Sequence, residues 1–353
     1  MNAGAGASAA NSASSKTLLL RIATWVLAAG CFYLVYSRIA AAAAREGAST
    51  AVYLLQFFSG VDWLTWLALM VPYSLFFFAV DAHATWRAIR WFNAPALRYS
   101  QVLPIRASAY ILSLVNEQVG KGAMSLYLLR RHRVPGWQAL STMILLGMVE
   151  IYQLLVFSAL GVALHYDLVA QASSILPLRW ILPVLYVAAA LYFPLHLAFF
   201  RGCLLPDSRI RDKPLLHALR HAAPRHYLLL LLCKAPNLVI AIAVYTMALS
   251  LFGVAVHFGQ MMAFLPVIFL AAALPLPFHA GALLLWTVLF PEFPEVGAFS
   301  LVMHTFFVSF NAVIGLVFLP RANRELFGAP GAQQRMQPVE HGQHGAGDQQ
   351  TGG

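Results

Sequence analysis

The chain has 353 residues, 60% of them apolar and 10% charged, with a mean hydropathy of +0.71. A soluble domain runs at roughly 45–50% apolar and about 25% charged. An ordinary soluble enzyme, a disordered chain and a free nucleic-acid binder are therefore excluded. The 23 Lys and Arg against 13 Asp and Glu, formally +10, are first to be read as loop asymmetry around membrane spans. Cys31, Cys203 and Cys233 are scattered without CxxC spacing, which argues against a disulfide framework and a zinc site.

Residues 1–16, dominated by Ala, Gly, Ser and Asn, predict a disordered tail. The stretch 18–44 is almost wholly apolar and long enough to cross a hydrocarbon core of roughly 30 Å. A signal sequence competes for it, because Leu27-Ala28-Ala29-Gly30-Cys31 loosely resembles a lipoprotein cleavage site. The run outlasts a signal-peptide core of about 7–15 residues and continues past Cys31, so it is read as the first span. Further spans follow at 61–80, 138–164, 180–200, 227–250 and 298–319. Two more apolar segments, about 103–128 and 259–290, are broken by Pro, Gly and polar residues. The membrane domain thus covers 17–326, and 327–353, rich in Gln, Gly and His, predict a second disordered tail.

Basic residues sort by side. Arg87, Arg90, Arg98 and Arg106, then Arg130, Arg131 and Arg133, then the loop 201–226, and finally Arg321 and Arg324 fall on one side. The other side holds chiefly Arg38, Arg45 and Arg179. By the positive-inside rule both termini are cytoplasmic. Arg106 and Arg130 flank the first broken segment, so it is expected to enter from the cytoplasm and return. His257 and Pro291-Glu292-Phe293-Pro294-Glu295 flank the second, which is expected to dip in from the opposite face. Span, hairpin, span then occurs twice, over 61–164 and 227–319, in opposite senses. Interrupted segments at matching places in inverted halves point to a midplane binding site.

In the first broken segment, Asn116-Glu117-Gln118-Val119-Gly120-Lys121-Gly122 lies between apolar 111–114 and 126–129. Irregular backbone at membrane depth survives only where protein or a wet cavity satisfies its polar groups. Gly120 and Gly122 would allow a tight turn, the helix after it would aim free N–H groups at an anion, and Lys121 would add positive charge. Two readings stand open: a site for a phosphate-bearing lipid headgroup, or a cytoplasmic loop with Glu117 and Lys121 paired at its surface. In the second segment, Leu274-Pro275-Leu276-Pro277-Phe278-His279-Ala280-Gly281, the prolines break the helix and Gly281 permits the reversal. His279 is its one ionisable group, either hydrogen-bonded or a ligand or proton site.

Glu150 sits in the middle of apolar 144–160, where no register shift brings it to an interface. A carboxylate there must be paired, wet or protonated, and Gln153 shares its face at i+3. The last span carries His304 and Asn311 on one face. Glu150 and His304 are both expected to face the interior; polar helix-packing contacts are the plainer reading. Lys234 and Asn237, near a basic loop, are read as snorkelling. His217 and His221 lack a third ligand, so no metal is expected, and the basic loop around them suits anionic lipids. No HExxH, GxSxG, Walker lysine loop or DxxD cluster occurs, and no catalytic activity or cofactor is expected.

These residues carry a family resemblance. The stretch 107–164, with Asn116 to Gly122, then Leu126-Tyr127-Leu128-Leu129-Arg130-Arg131-His132-Arg133-Val134-Pro135 and the Glu150 span, resembles the flippase-like family. That family is the membrane region of lysylphosphatidylglycerol synthases with its stand-alone relatives. Its second, Pro-Gly-rich turn is matched in kind by 274–281, and the layout extends over 18–326. Departures are Ala123 for an acidic residue, Gly147 and His304 for membrane arginines, Phe278-His279 for two glycines, and Leu284 near a usual Glu. The soluble aminoacyl-transferase domain has no counterpart here, so lipid lysinylation is not implied.

The expectation is an all-α polytopic integral membrane protein of a bacterial cytoplasmic (inner) membrane. It has about six transmembrane helices plus two opposed re-entrant hairpins in an inverted repeat. Its expected role is flipping an anionic phospholipid or polyprenyl-linked lipid, whose headgroup is its partner. A non-catalytic scaffold for a lipid-modifying or glycosylating enzyme and a proton-coupled small-solute carrier are the rivals.

Overall fold

A computed structural model describes residues 3–115, 117–172, 176–274 and 276–327, with side chains described from 22 onward except at 113–115, 117–119, 121 and 278. The chain opens with α1 (Ala3–Arg45), α2 (Thr50–Ser59) and α3 (Trp63–Phe92). The short helices α4 (Tyr99–Val115) and α5 (Glu117–His132) lead into α6 (Gly136–Leu164), α7 (Tyr166–Ala172) and α8 (Leu178–Phe200). After a basic loop holding α9 (His217–His221) come α10 (Pro224–Leu251), α11 (Phe258–Ala272), α12 (Ala280–Leu289) and α13 (Val296–Phe327). Among the described residues six helices are apolar and long enough to cross a membrane: Ile22–Arg45 within α1, then α3, α6, α8, α10 and α13. The chain is an all-α integral membrane protein.

Local chemistry sets the boundaries. Asp62 caps α3 by accepting from the Leu64 and Thr65 amides at 3.1 and 3.2 Å, and Ser49 caps α2 through the Val52 amide. Pro224 opens α10, where its missing N–H leaves no helical bond unmade. Helical backbone runs from Ala3 through the residues expected to form a tail; alanine, abundant there, has the highest helix propensity. Residues 328–353 lie outside those described.

Two apolar cores stack along the bundle. The first joins Trp66, Met70 and Tyr73 of α3 to Tyr245 of α10, Phe264 of α11, Trp286 of α12 and Phe299 of α13. The second joins Ala88 and Ile89 of α3 to Val102 and Ile105 of α4, Tyr127 and Leu128 of α5, Leu145 of α6 and Leu230 of α10. Helix ends beside the second core carry Arg87, Arg90, Arg130, Arg131, Arg225 and Arg324. Arg131 donates from Nη2 to the Arg324 carbonyl at 2.8 Å and from Nε to that of Glu325, so this arginine at the end of α5 caps α13.

Small residues close two helix contacts. Gly161 of α6 faces the backbone of Met262 and Ala263 on α11, and Gly315 of α13 faces Ala107 and Ile111 on α4. Both broken segments differ from expectation in where their glycines lie. Gly120 and Gly122 lie inside α5 (Glu117–His132), and Asn116, between α4 and α5, lies outside the described residues. Two helical glycines cost about 2 kcal/mol against alanine, which packing of α5 against α4 and α6 offsets. In the second pair the left-handed residue is His279 (φ 51°), held by its Nδ1 at 2.8 Å from the Ala272 carbonyl, while Gly281 lets α12 approach Ala271.

Candidate functional site: a charge cluster between four helices

Between the two cores lies a polar layer. On α3, Asp81 falls after the residues of the first core and before those of the second; on α10 and α6, which meet the cores in the reverse order, Lys234 and Glu150 fall after residues of the second core and before those of the first. A lone charge at such depth is tolerated only when paired. Arg106, one turn before Tyr110 on α4, puts its Nε 2.6 Å from Asp81 Oδ2, and the Tyr110 hydroxyl donates to the same oxygen at 2.9 Å. The Lys234 ammonium lies 2.9 Å from Glu150 Oε2 and 3.9 Å from Asp81 Oδ1. The result is a line of alternating charge, Arg106, Asp81, Lys234, Glu150, with no net charge.

Neutral amides brace it. Gln153 donates to the Lys234 carbonyl at 3.0 Å, so α6 grips α10 through both a side chain and the backbone of one residue. Asn237, one turn after Lys234, donates to the Phe77 carbonyl at 3.4 Å, and its own buried Oδ1 has no hydrogen-bond partner among the described residues.

Exposure is uneven along the line. The Asp81 and Lys234 side chains are 7% exposed, that of Glu150 54%. Glu150 nonetheless sits about 21 Å from the start of α6, at mid-span. The line is therefore closed at its centre and open at one end. Lys234 stands between two carboxylates at unequal distances. Without the Glu150 charge, Lys234 and Arg106 would share the single carboxylate of Asp81, an excess of one positive charge that another anion at the open end would balance.

Sequence reasoning singled out Glu150 and Gln153 and missed the others. Lys234 does not snorkel: it lies about 15 Å from the start of α10 and turns inward to Glu150. Arg106 is not a loop charge, because α4 begins at Tyr99 and carries it two turns into the helix. Asp81 is the one acidic residue of α3, and the i, i+4 spacing of Arg106 and Tyr110 was the available sign of a shared face. Glu150 and His304 are not brought together, since α13 packs on α4 and α12. Glu150 is half exposed instead of interior, and His304 packs against His279 with ring centres 4.7 Å apart and ring planes inclined by 59°.

Asn116 and the side chains of Glu117, Gln118 and Lys121 lie outside the described residues. Gly120 is buried and Gly122 half-buried in α5. A Cβ on Gly122 would meet nothing within 4 Å. Gly122→Ala is thus expected to raise the unfolding midpoint, worth about 0.5–1 kcal/mol from helix propensity. A loss of stability there would mean that this glycine serves a turn. Comparison with protein-family models, curated proteins and solved structures finds no match to this chain.

Proposed function

We propose that the chain moves an anionic phospholipid or polyprenyl-linked lipid between leaflets, with the charge cluster as the point where its headgroup is handled. Glu150 carries this reading: a half-exposed carboxylate at mid-span, tied to a buried ammonium. Ionisable groups at membrane depth mark substrate or ion pathways by default. A headgroup phosphate reaching the open end would take Lys234 as its partner while Glu150 takes a proton, so charge stays balanced as the headgroup passes.

The partners that the helices keep support two opposed hairpins in an inverted repeat. The order α3, α4–α5, α6 recurs as α10, α11–α12, α13. Exchanging the halves turns the α4–α13 contact into the α11–α6 contact, each closed at a glycine, and leaves α3–α10 paired. The α4–α5 pair begins and ends against the second core, and the α11–α12 pair against the first, as hairpins dipping from opposite faces would. The gathering of arginines beside the second core supports that end, with both termini, as the cytoplasmic side of a bacterial inner membrane. The resemblance of 107–164 to the flippase-like family supports lipid as the cargo.

The test is transfer of labelled phosphatidylglycerol across proteoliposome membranes. Wild type is expected to accelerate transfer above empty liposomes, and Glu150→Gln to reduce the rate at least tenfold. An unchanged rate in that variant would remove the cluster from the mechanism. No transfer of any lipid by wild type, with a lipid-modifying enzyme co-purifying in stoichiometric amount, would instead make the chain a scaffold.

A further inference from the structure

Where α3 ends, Arg87, Arg90, Trp91 and Pro95 line an open recess of about 170 Å³. Arg87 and Arg90 lie one turn apart, both exposed, with guanidinium carbons 5.6 and 5.0 Å from the centre of the Trp86 ring. Arg90 Nε donates to the Pro95 carbonyl at 2.9 Å, and Arg87 Nε reaches His83 Nε2 at 3.4 Å. Each guanidinium is thus anchored through one N–H, and among the described residues its outer donors have no hydrogen-bond acceptor. Among the described residues neither arginine has a carboxylate within ion-pair distance.

We infer that this recess binds the phosphate of an anionic phospholipid in the adjoining leaflet. Two positioned guanidiniums present planar forks that match phosphate oxygens. Depth argues for a lipid over a free ion. Helix α3 has 30 residues, against about 20 needed to cross the hydrocarbon core, so its last turns emerge at headgroup level. Trp86 and Trp91 are half-buried there, and the His226 ring packs on Trp91 at 5.2 Å. Tryptophan at this level favours the boundary between acyl chains and headgroups. The recess stands apart from the charge cluster, and lipid would bind here whether or not the chain transports it.

The experiment follows the thermal unfolding midpoint of the full-length protein in neutral detergent. Phosphatidylglycerol, phosphatidylcholine and inorganic phosphate are added in separate arms. Phosphatidylglycerol is expected to raise the wild-type midpoint by several degrees, with no shift from the other two. In Arg87→Gln/Arg90→Gln that shift is expected to fall to a third or less, and Arg87→Lys/Arg90→Lys to keep more of it. Should the double variant be unstable without lipid, Arg87→Gln alone, which gives up the long contact to His83 and the 5.6 Å approach to the Trp86 ring but leaves the Arg90–Pro95 bond, is expected to lose about half. An undiminished shift in the glutamine variants would overturn the site. Equal shifts from inorganic phosphate and phosphatidylglycerol would reassign the recess to free anions.

Discussion

Asp81→Ala is expected to destabilise the bundle by about 3–5 kcal/mol, the cost of breaking a buried ion pair by removing one partner. Asp81 is the shared anion of the cluster, touching Arg106 at 2.6 Å, Tyr110 at 2.9 Å and Lys234 at 3.9 Å. Its loss leaves the Arg106 guanidinium without a counter-ion between α3 and α4. Neutral hydrogen bonds between membrane helices average only about 0.6 kcal/mol, so the stranded charge dominates over the lost Tyr110 bond. Asp81→Leu combined with Arg106→Met is expected to recover most of the stability, because replacing both members of a buried pair by apolar groups is often neutral. Unfolding midpoints of the single and double variants measure this. A single variant as stable as wild type would mean that the pair does not hold the helices.

The second large effect is steric. An alanine Cβ at Gly161 would lie 2.8 Å from the Ala263 Cα and closer still to the Met262 carbonyl oxygen. Both are backbone atoms of α11, which cannot rotate away as a side chain can. Helix α11 must then separate from α6. Overpacking of this kind costs typically about 1–3 kcal/mol, and Gly161→Val is expected to exceed Gly161→Ala. Gly147 supplies the control on the same helix, since a Cβ there meets nothing within 4 Å. Gly147→Ala is expected to be neutral or slightly stabilising. Equal midpoints for Gly161→Ala and Gly147→Ala would show that α6 and α11 do not approach as closely as described.

The spans were legible because crossing a membrane is a one-dimensional requirement: enough consecutive apolar residues, whatever they touch. Asp62 as the start of α3 and Pro224 as the start of α10 are local in the same sense, fixed by groups within three residues. Glu150 could be read because the middle of a span offers a carboxylate no interface to reach. Turn position was less legible. Glycine at 120, 122 and 281 permitted reversals, yet the chain uses His279 in the left-handed region, where the Ala272 carbonyl holds it. Permission to turn is a property of the residue, whereas the place of the turn depends on which helices gain by continuing.

Composition and hydropathy alone establish a membrane protein, its long apolar helices and a carboxylate at mid-span. Tertiary structure decided the partners. A charge two or three turns inside a helix has two solutions with the same local sequence: reach out to the interface, or pair inward. Lys234 pairs inward because α6 brings Glu150 within 2.9 Å across 84 residues of chain. Arg106 does so because α4 lies against α3, where Asp81 waits 2.6 Å away. No local pattern encodes either meeting, since hydrophobic burial draws a helix into the bundle while packing of side chains at particular crossings selects which neighbour it meets.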